Sequence, residues 1–349
     1  MEKRTAILFF IGIILIILLF HTLDIRKIED KLFEIPVVDL IFYLTILFIL
    51  QIFIMLLSAL KWRIVLRNSD VSVKNIIPAA FVGYLINNIT PVGLAGGEPI
   101  RAYILYKMDN VDMPTSASSV IVDLFLEIFP LFLMILISIF IVISNGVPLF
   151  ISFTLLLLML ILTILFLIVV SVAYKRTYSV TFLRTMTKII SVLPFFRRYT
   201  GRLRDEFDDI TNRFNRAIKL HMLDNHVIVY GITVSILVWG LRILRLYLSF
   251  MALGVKVSLT TVLVVETMVS AISFLPLLPG ALGIWEWTSV ELFSIISSYS
   301  DIYVNREFAA MGTIMNRVFF YLIPSIFGIV SALYLGMNIS KITTDKNTK

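Results

Sequence analysis

Cysteine is absent from the 349 residues, histidine occurs three times, and Asp, Glu, Lys and Arg together make up only 15%. Without cysteine there are no disulfides and no thiol catalysis, and the redox compartment cannot be read. Three histidines scattered at 21, 221 and 226 argue against a metal centre, so no metal and no cofactor is expected. Gly96-Gly97 lacks the lysine of a phosphate-binding P-loop and the strand–helix context of a dinucleotide fingerprint. Soluble domains carry about a quarter charged residues. Here the deficit is filled by 59% hydrophobic residues and a mean hydropathy of +0.97. These values define an all-α polytopic membrane protein. The net charge of +7 fits the basic bias of cytoplasmic loops, and no nucleic-acid partner is expected.

Two short loops organise the chain. One runs from Pro91 through Gly96-Gly97 to Glu98, the other from Pro279 through Gly280 and Gly283 to Glu286. Each begins with proline, ends seven residues later with glutamate, and interrupts a long apolar stretch. Proline and glycine break helices, and irregular backbone is tolerated at membrane depth only where protein or a water-filled cavity receives it. Each loop therefore reads as the tip of a re-entrant hairpin. Paired broken segments in two halves of a chain point to a transport site.

Six full spans are expected at about 5–20, 38–60, 115–143, 149–173, 226–250 and 308–337, with hairpins over 76–106 and 258–297. Hydropathy counting alone would give about eight spans. Met1-Glu2-Lys3-Arg4 before an apolar run resembles a signal peptide, but no small-residue cleavage site follows; an uncleaved first span is expected. Residues 175–225 form a basic segment with eleven Lys/Arg, in which Leu203, Phe207, Ile210 and Phe214 mark one face of an amphipathic helix. It either lies on the inner leaflet against anionic lipids or forms a small cytoplasmic hairpin.

On this plan 22 of the 30 Lys/Arg fall on the cytoplasmic side, Lys61, Arg63, Arg67, Lys74, Arg101 and Lys107 among them. Arg26, Lys27, Lys31, Lys256 and Arg306 fall outside, and Arg242, Arg245 and Arg317 within the membrane. That asymmetry puts both termini in the cytoplasm. It also gives two repeats of opposite orientation, 38–145 and 226–337, whose hairpins enter from opposite faces. Inverted repeats place substrate sites where their broken helices meet.

Charges inside a membrane are rare and mark function or pairing. Asp123 and Glu127 share a helix face at i,i+4; Arg242 and Arg245 lie at i,i+3, and Glu266 lies in the second hairpin. Glu127 and Arg317 sit about 18 Å and about 15 Å from their span ends at about 1.5 Å per residue. Their similar depth on equivalent spans suggests a pair, either a polar pathway for a headgroup or coupling ion, or an ion pair that only fixes register. Arg242 and Arg245 read as snorkelling toward the outer surface or as a phosphate fork. Glu98 and Glu286 could cap the second limb of each hairpin or bind a cation or amine. The glycine N–H groups could approach a phosphate, and Asn87, Asn88 and Thr90 add polar groups before the first tip.

The stretch from Asn87 to Leu105, with Pro91, Gly96-Gly97-Glu98 and Arg101-Ala102-Tyr103, resembles the signature of the lysylphosphatidylglycerol synthase transmembrane region, also called the flippase-like or UPF0104 membrane proteins. Pro279-Gly280, Gly283 and Glu286 resemble its later motif. The resemblance covers most of the chain and implies a lipid translocase. The sequence stops at Lys349, directly after the last span, so the soluble domain of the synthases is expected to be missing and their activity is not carried over. The expectation is therefore a non-enzymatic translocase of a charged-headgroup phospholipid or polyprenyl-phosphate lipid in the plasma membrane. Membrane lipid is its substrate, anionic inner-leaflet lipids are partners, and a homodimer is left open as the assembly. The substrate-binding candidates are Asn87, Asn88, Thr90, Gly96, Gly97, Glu98, Arg101, Asp123, Glu127, Arg242, Arg245, Gly280, Gly283, Glu286 and Arg317. The rivals are an ion-coupled transporter of a small solute and a non-catalytic membrane partner of a lipid or glycan synthesis enzyme.

Overall fold

Long apolar runs punctuated by proline and glycine give a chain of helices. The computed structural model describes residues 2–90, 96–174, 207–274 and 278–347, and no strand occurs among them. Pro91 to Ala95, 175–206 and 275–277 lie outside the described residues, so the tip of the first loop and most of the basic segment do too. The helices are α1 (Glu2–His21), α2 (Ile25–Phe33), α3 (Val37–Val65), α4 (Val73–Ile89), α5 (Glu98–Met108), α6 (Met113–Ser144) and α7 (Leu149–Tyr174). After the undescribed part come α8 (Phe207–Leu223), α9 (Asn225–Met251), α10 (Leu259–Ser273), α11 (Ile284–Ser297), α12 (Arg306–Arg317) and α13 (Ile323–Asn347).

Five helical stretches among the described residues are long and apolar enough to cross a membrane: α3, α6, the first 20 residues of α7, α9, and the run from Arg306 to Met337. A sixth is reached if α1 and α2, bent by 79° at their junction, count as one. Large apolar side chains face outward, as Phe150, Phe153 and Leu160 do on α7, which is the surface a lipid solvent demands. Local sequence sets the boundaries. Asp112 caps α6 through the Thr115 N–H, and Asp224 caps α9 through the His226 and Val227 N–H groups. The last span is broken by five π-helical residues, Val318–Leu322. Pro324 follows and has no N–H for the carbonyl four residues back.

The first limb of each hairpin packs on the last span of the other half: α4 along α13, and α10 along α6. Phe81 meets Phe327 edge-on at 6.0 Å, and Gly328 admits the Phe81 carbonyl and Leu85 against its backbone. The central pair is α3 with α9, and it is antiparallel. Arg67, just past the end of α3, pairs with Asp224 at the start of α9 at 3.3 Å. Toward the other ends, Leu47 shares an apolar cluster with Leu248 and Ala252. The end of α4 touches the second tip: a Cβ on Gly280 would stand 3.0 Å from the Asn88 carbonyl oxygen. Gly280 has φ of +54° and Gly283 of +81°, conformations that glycine adopts without strain.

The amphipathic α8 turns its apolar face to protein. Phe214 and Ile218 are fully buried with Val122, Leu126 and Val227. Of the predicted apolar stripe, Phe207, Ile210 and Phe214 lie on α8 and Leu203 falls outside the described residues.

Candidate functional site

Ten charged side chains from both halves gather inside the bundle: Lys61, Arg101, Arg242, Arg245 and Arg317 against Glu98, Asp123, Glu127, Glu266 and Glu286. Eight are buried, while Glu127 and Arg242 keep 15% and 22% of their side chains exposed. Five cations face five carboxylates, so the group is formally neutral. Uncompensated charge in a low-dielectric interior costs several kcal/mol per ion even after relaxation, about an order of magnitude above a surface pair.

The first cluster is built on α3, α5, α6 and α9. The Lys61 ammonium lies 2.6 Å from Glu127 Oε1 and 3.2 Å from Asp123 Oδ1, and it also donates to the Asp123 carbonyl at 3.3 Å. Arg101 forks between Glu98 at 2.7 Å and Asp123 at 2.8 Å. Its guanidinium stacks 4.1 Å above the Trp62 ring, and Trp62 donates to Ser119 at 3.1 Å. Arg242 reaches Glu127 only at 3.8 Å and lies 4.7 Å from the Trp239 ring. A small cavity of about 70 Å³ opens onto this cluster, lined by Tyr84 and Asn87 of the first hairpin, by the charges of α5, α6 and α9, and by Phe274 of the second hairpin.

The second cluster sits at the second tip. Glu286 accepts the Gly283 N–H at 2.7 Å and pairs with Arg317 Nε at 2.8 Å. The Nε–H is not aligned with the carboxylate, so this contact is an ion pair and not a hydrogen bond. Arg317 donates to the Gly280 carbonyl at 2.7 Å, and its guanidinium lies among Trp285, Phe320 and Tyr321. Glu286 is thus both a helix cap and an ion-pair partner. A third group joins Arg245 to the neutral amides of Gln51 at 2.6 Å and Asn316 at 2.8 Å.

The remaining candidates at the end of α4 are engaged with the start of α5, with the last span and with their own helix. Asn87 Oδ1 accepts the Gly97 N–H at 2.6 Å, so that N–H is occupied and not offered to a phosphate. Asn88 donates to the Tyr321 carbonyl at 3.1 Å and to Ser325 at 2.9 Å, and accepts from the Tyr321 hydroxyl at 3.1 Å. Thr90 donates to Ile86 within its own helix, and its hydroxyl fills the space beside Gly96.

Three expectations are corrected. Glu127 and Arg317 are not partners here: Glu127 lies with Lys61 and Arg242, and Arg317 with Glu286. Depth along a helix fixes one coordinate, and helix rotation supplies the rest. Arg245 does not snorkel; it is 4% exposed and held sideways by amides. Lys61, assigned to the cytoplasmic surface, is 1% exposed. Arg101, assigned likewise, is 8% exposed, and moving both leaves twenty Lys/Arg on the side the charge count expects to be cytoplasmic, against five on the other. Lys61 is not among the sequence candidates, although the polar positions 51, 58 and 61 recur on one face of α3 and could have marked it. Gln51, Asn316 and Tyr84 were missed because only tertiary packing brings them in.

A bundle with several apolar spans, two short helical hairpins and a charge-balanced interior is a polytopic integral membrane protein. The chain belongs to the family described as the lysylphosphatidylglycerol synthase TM region, whose model it matches over residues 5–328. It is 29% identical to a UPF0104 membrane protein of Methanothermobacter thermautotrophicus over 99% of this chain and 100% of that one. A second UPF0104 membrane protein of that archaeon is 26% identical over 84% of each chain, and one from Methanocaldococcus jannaschii is 25% identical over 86% of each. No solved structure matches.

Proposed function

We propose that the protein is a lipid translocase, moving a charged-headgroup phospholipid or polyprenyl-phosphate lipid between leaflets by way of the first charge cluster, without covalent chemistry. The observation that carries this reading is the loosely held Arg242. It lies 3.8 Å from a carboxylate that Lys61 holds at 2.6 Å, and it is the most exposed cation of the ten, beside a cavity lined by both hairpins. A neutral, internally paired cluster admits a charged headgroup by exchange. A phosphate competes with Glu127 for Arg242 and Lys61, and an amine competes with the cations for Asp123 or Glu127. Each exchange keeps the interior compensated, which is the condition for carrying charge through a low-dielectric region. The family resemblance supports lipid as the cargo. On this reading the protein resides in the plasma membrane with both termini in the cytoplasm.

The test is leaflet exchange of fluorescent phospholipids in liposomes carrying the purified protein. Exchange well above protein-free liposomes, slowed at least tenfold in Arg242→Gln, is expected. Exchange no faster than in empty liposomes for anionic, zwitterionic and polyprenyl-phosphate lipids alike overturns it.

A further inference from the structure

Four of the five interior carboxylates are ion-paired: Glu98 and Asp123 with Arg101, Glu127 with Lys61, and Glu286 with Arg317. Glu266 is the exception. It is 4% exposed in the middle of α10, and no Lys, Arg or His nitrogen among the described residues lies within 4.0 Å of its oxygens. Its Oε1 takes one long hydrogen bond, 3.4 Å from Ser270 on its own helix, and its Oε2 has no partner. Arg245 is the matching exception among the cations, holding only the neutral Gln51 and Asn316. The two act on each other electrostatically without touching.

An isolated carboxylate in an apolar interior takes up a proton in preference to remaining charged. A metal ion is a poor alternative, because a hard cation needs six or so oxygens and no metal-holding group of His, Asp or Glu occurs among the described residues. From these contacts we infer that Glu266 is a proton-binding site of the transport cycle, filled in this conformation and emptied when Arg245 leaves its two amides and pairs with it. The neighbouring elements leave Arg245 as the switch. Helix α9 presents Arg242, which is engaged with Glu127, and Arg245. Helix α6 presents Asp123 and Glu127, and α11 presents Glu286 and Glu291, all ion-paired. The described side chains of α7 carry no charge. The event moves one proton between the Glu266 carboxyl and water and exchanges the hydrogen bonds of Arg245 for an ion pair; no bond to carbon changes. The inference rests on the translocase reading for its purpose and on geometry for the site.

Two measurements separate site from purpose. Infrared difference spectra of the reconstituted wild type and Glu266→Gln at pH 7 should show a protonated-carboxyl C=O band that the variant lacks, with unchanged thermal stability in the variant, since glutamine mimics the neutral acid. A band identical in both, or no band in the wild type, overturns the proton site whatever the cargo. Leaflet exchange is then measured with and without a one-unit pH gradient, worth about tenfold for one proton. The gradient should change the wild-type rate by up to that factor and leave Glu266→Gln unaffected. Exchange that proceeds with no response to the gradient overturns the coupling and leaves the translocase standing. A carboxyl band without exchange of any lipid overturns the translocase, and the coupling with it, and leaves the proton site standing.

Discussion

Replacing Lys61 by methionine removes a charge and keeps most of the side-chain volume. In the structure Lys61 is 1% exposed and bridges Asp123 and Glu127. Removing one partner of a buried ion pair leaves the other uncompensated, at about 3–5 kcal/mol. Two features place this site at the lower end. Asp123 keeps Arg101 at 2.8 Å, and Glu127 keeps Arg242 at 3.8 Å. A loss of about 3 kcal/mol is expected, a drop of more than a hundredfold in the folded-to-unfolded ratio at about 1.4 kcal/mol per tenfold. Adding Glu127→Gln removes the stranded carboxylate, so the double variant should recover at least half of the loss. Reversible denaturation of the purified protein in mixed micelles, followed by tryptophan fluorescence, reads all three. A surface lysine would cost no more than about 0.5 kcal/mol. A loss that small for Lys61→Met, or a double variant as damaged as the sum of the singles, refutes the buried bridge.

Gly83→Ala drives a Cβ to 2.6 Å from Arg101 Cδ, at the place where the Gly97 backbone also crosses; overpacking costs about 1–3 kcal/mol, and leaflet exchange should fall with it. Glu286→Gln keeps an acceptor for the Gly283 N–H but loses the pair to Arg317, so it should lower thermal stability by about 2–3 kcal/mol as well as slow exchange. His221 on α8 is buried, which holds its pKa below the ordinary histidine value. Its neutral form is thus the folded one, and the stability it contributes is complete above pH 6.5 and lost as pH falls below that value. Hydrogen exchange of α8 should accelerate in that window, and His221→Asn should flatten the response.

What the sequence made legible was whatever a one-dimensional signal encodes. The apolar run expected at 226–250 is helix Asn225–Met251, and that expected at 149–173 is Leu149–Tyr174. The hairpin breaks fall where proline and glycine were read as breakers. Every charged residue of the first cluster except Lys61 is also legible as a candidate in the sequence. The pairing of those residues was not legible. Glu127 chooses Lys61 and Arg242 over Arg317 because helix rotation, set by contacts such as Gly231 against Leu126, decides which faces meet. Charge counting assigned Lys61 and Arg101 by their position near span ends, yet helix α3 continues to Val65 and α5 packs against α6. Glu266 is legible in the sequence as a charge in the second hairpin but not as a site, because its distinction is the absence of a partner, which only three-dimensional neighbours reveal.

The account depends on two hairpins reaching one interior from opposite sides of the membrane. The natural chain has no cysteine, so an introduced one is the sole thiol. Lys74, exposed in the first turn of α4, and Lys256, exposed just before α10, flank the bases of the two hairpins. In intact cells treated with an impermeant maleimide, Lys256→Cys should be labelled and Lys74→Cys should not, and the order should reverse in inside-out vesicles. Labelling of both from the same side would contradict the opposed hairpins and the translocation path built on them.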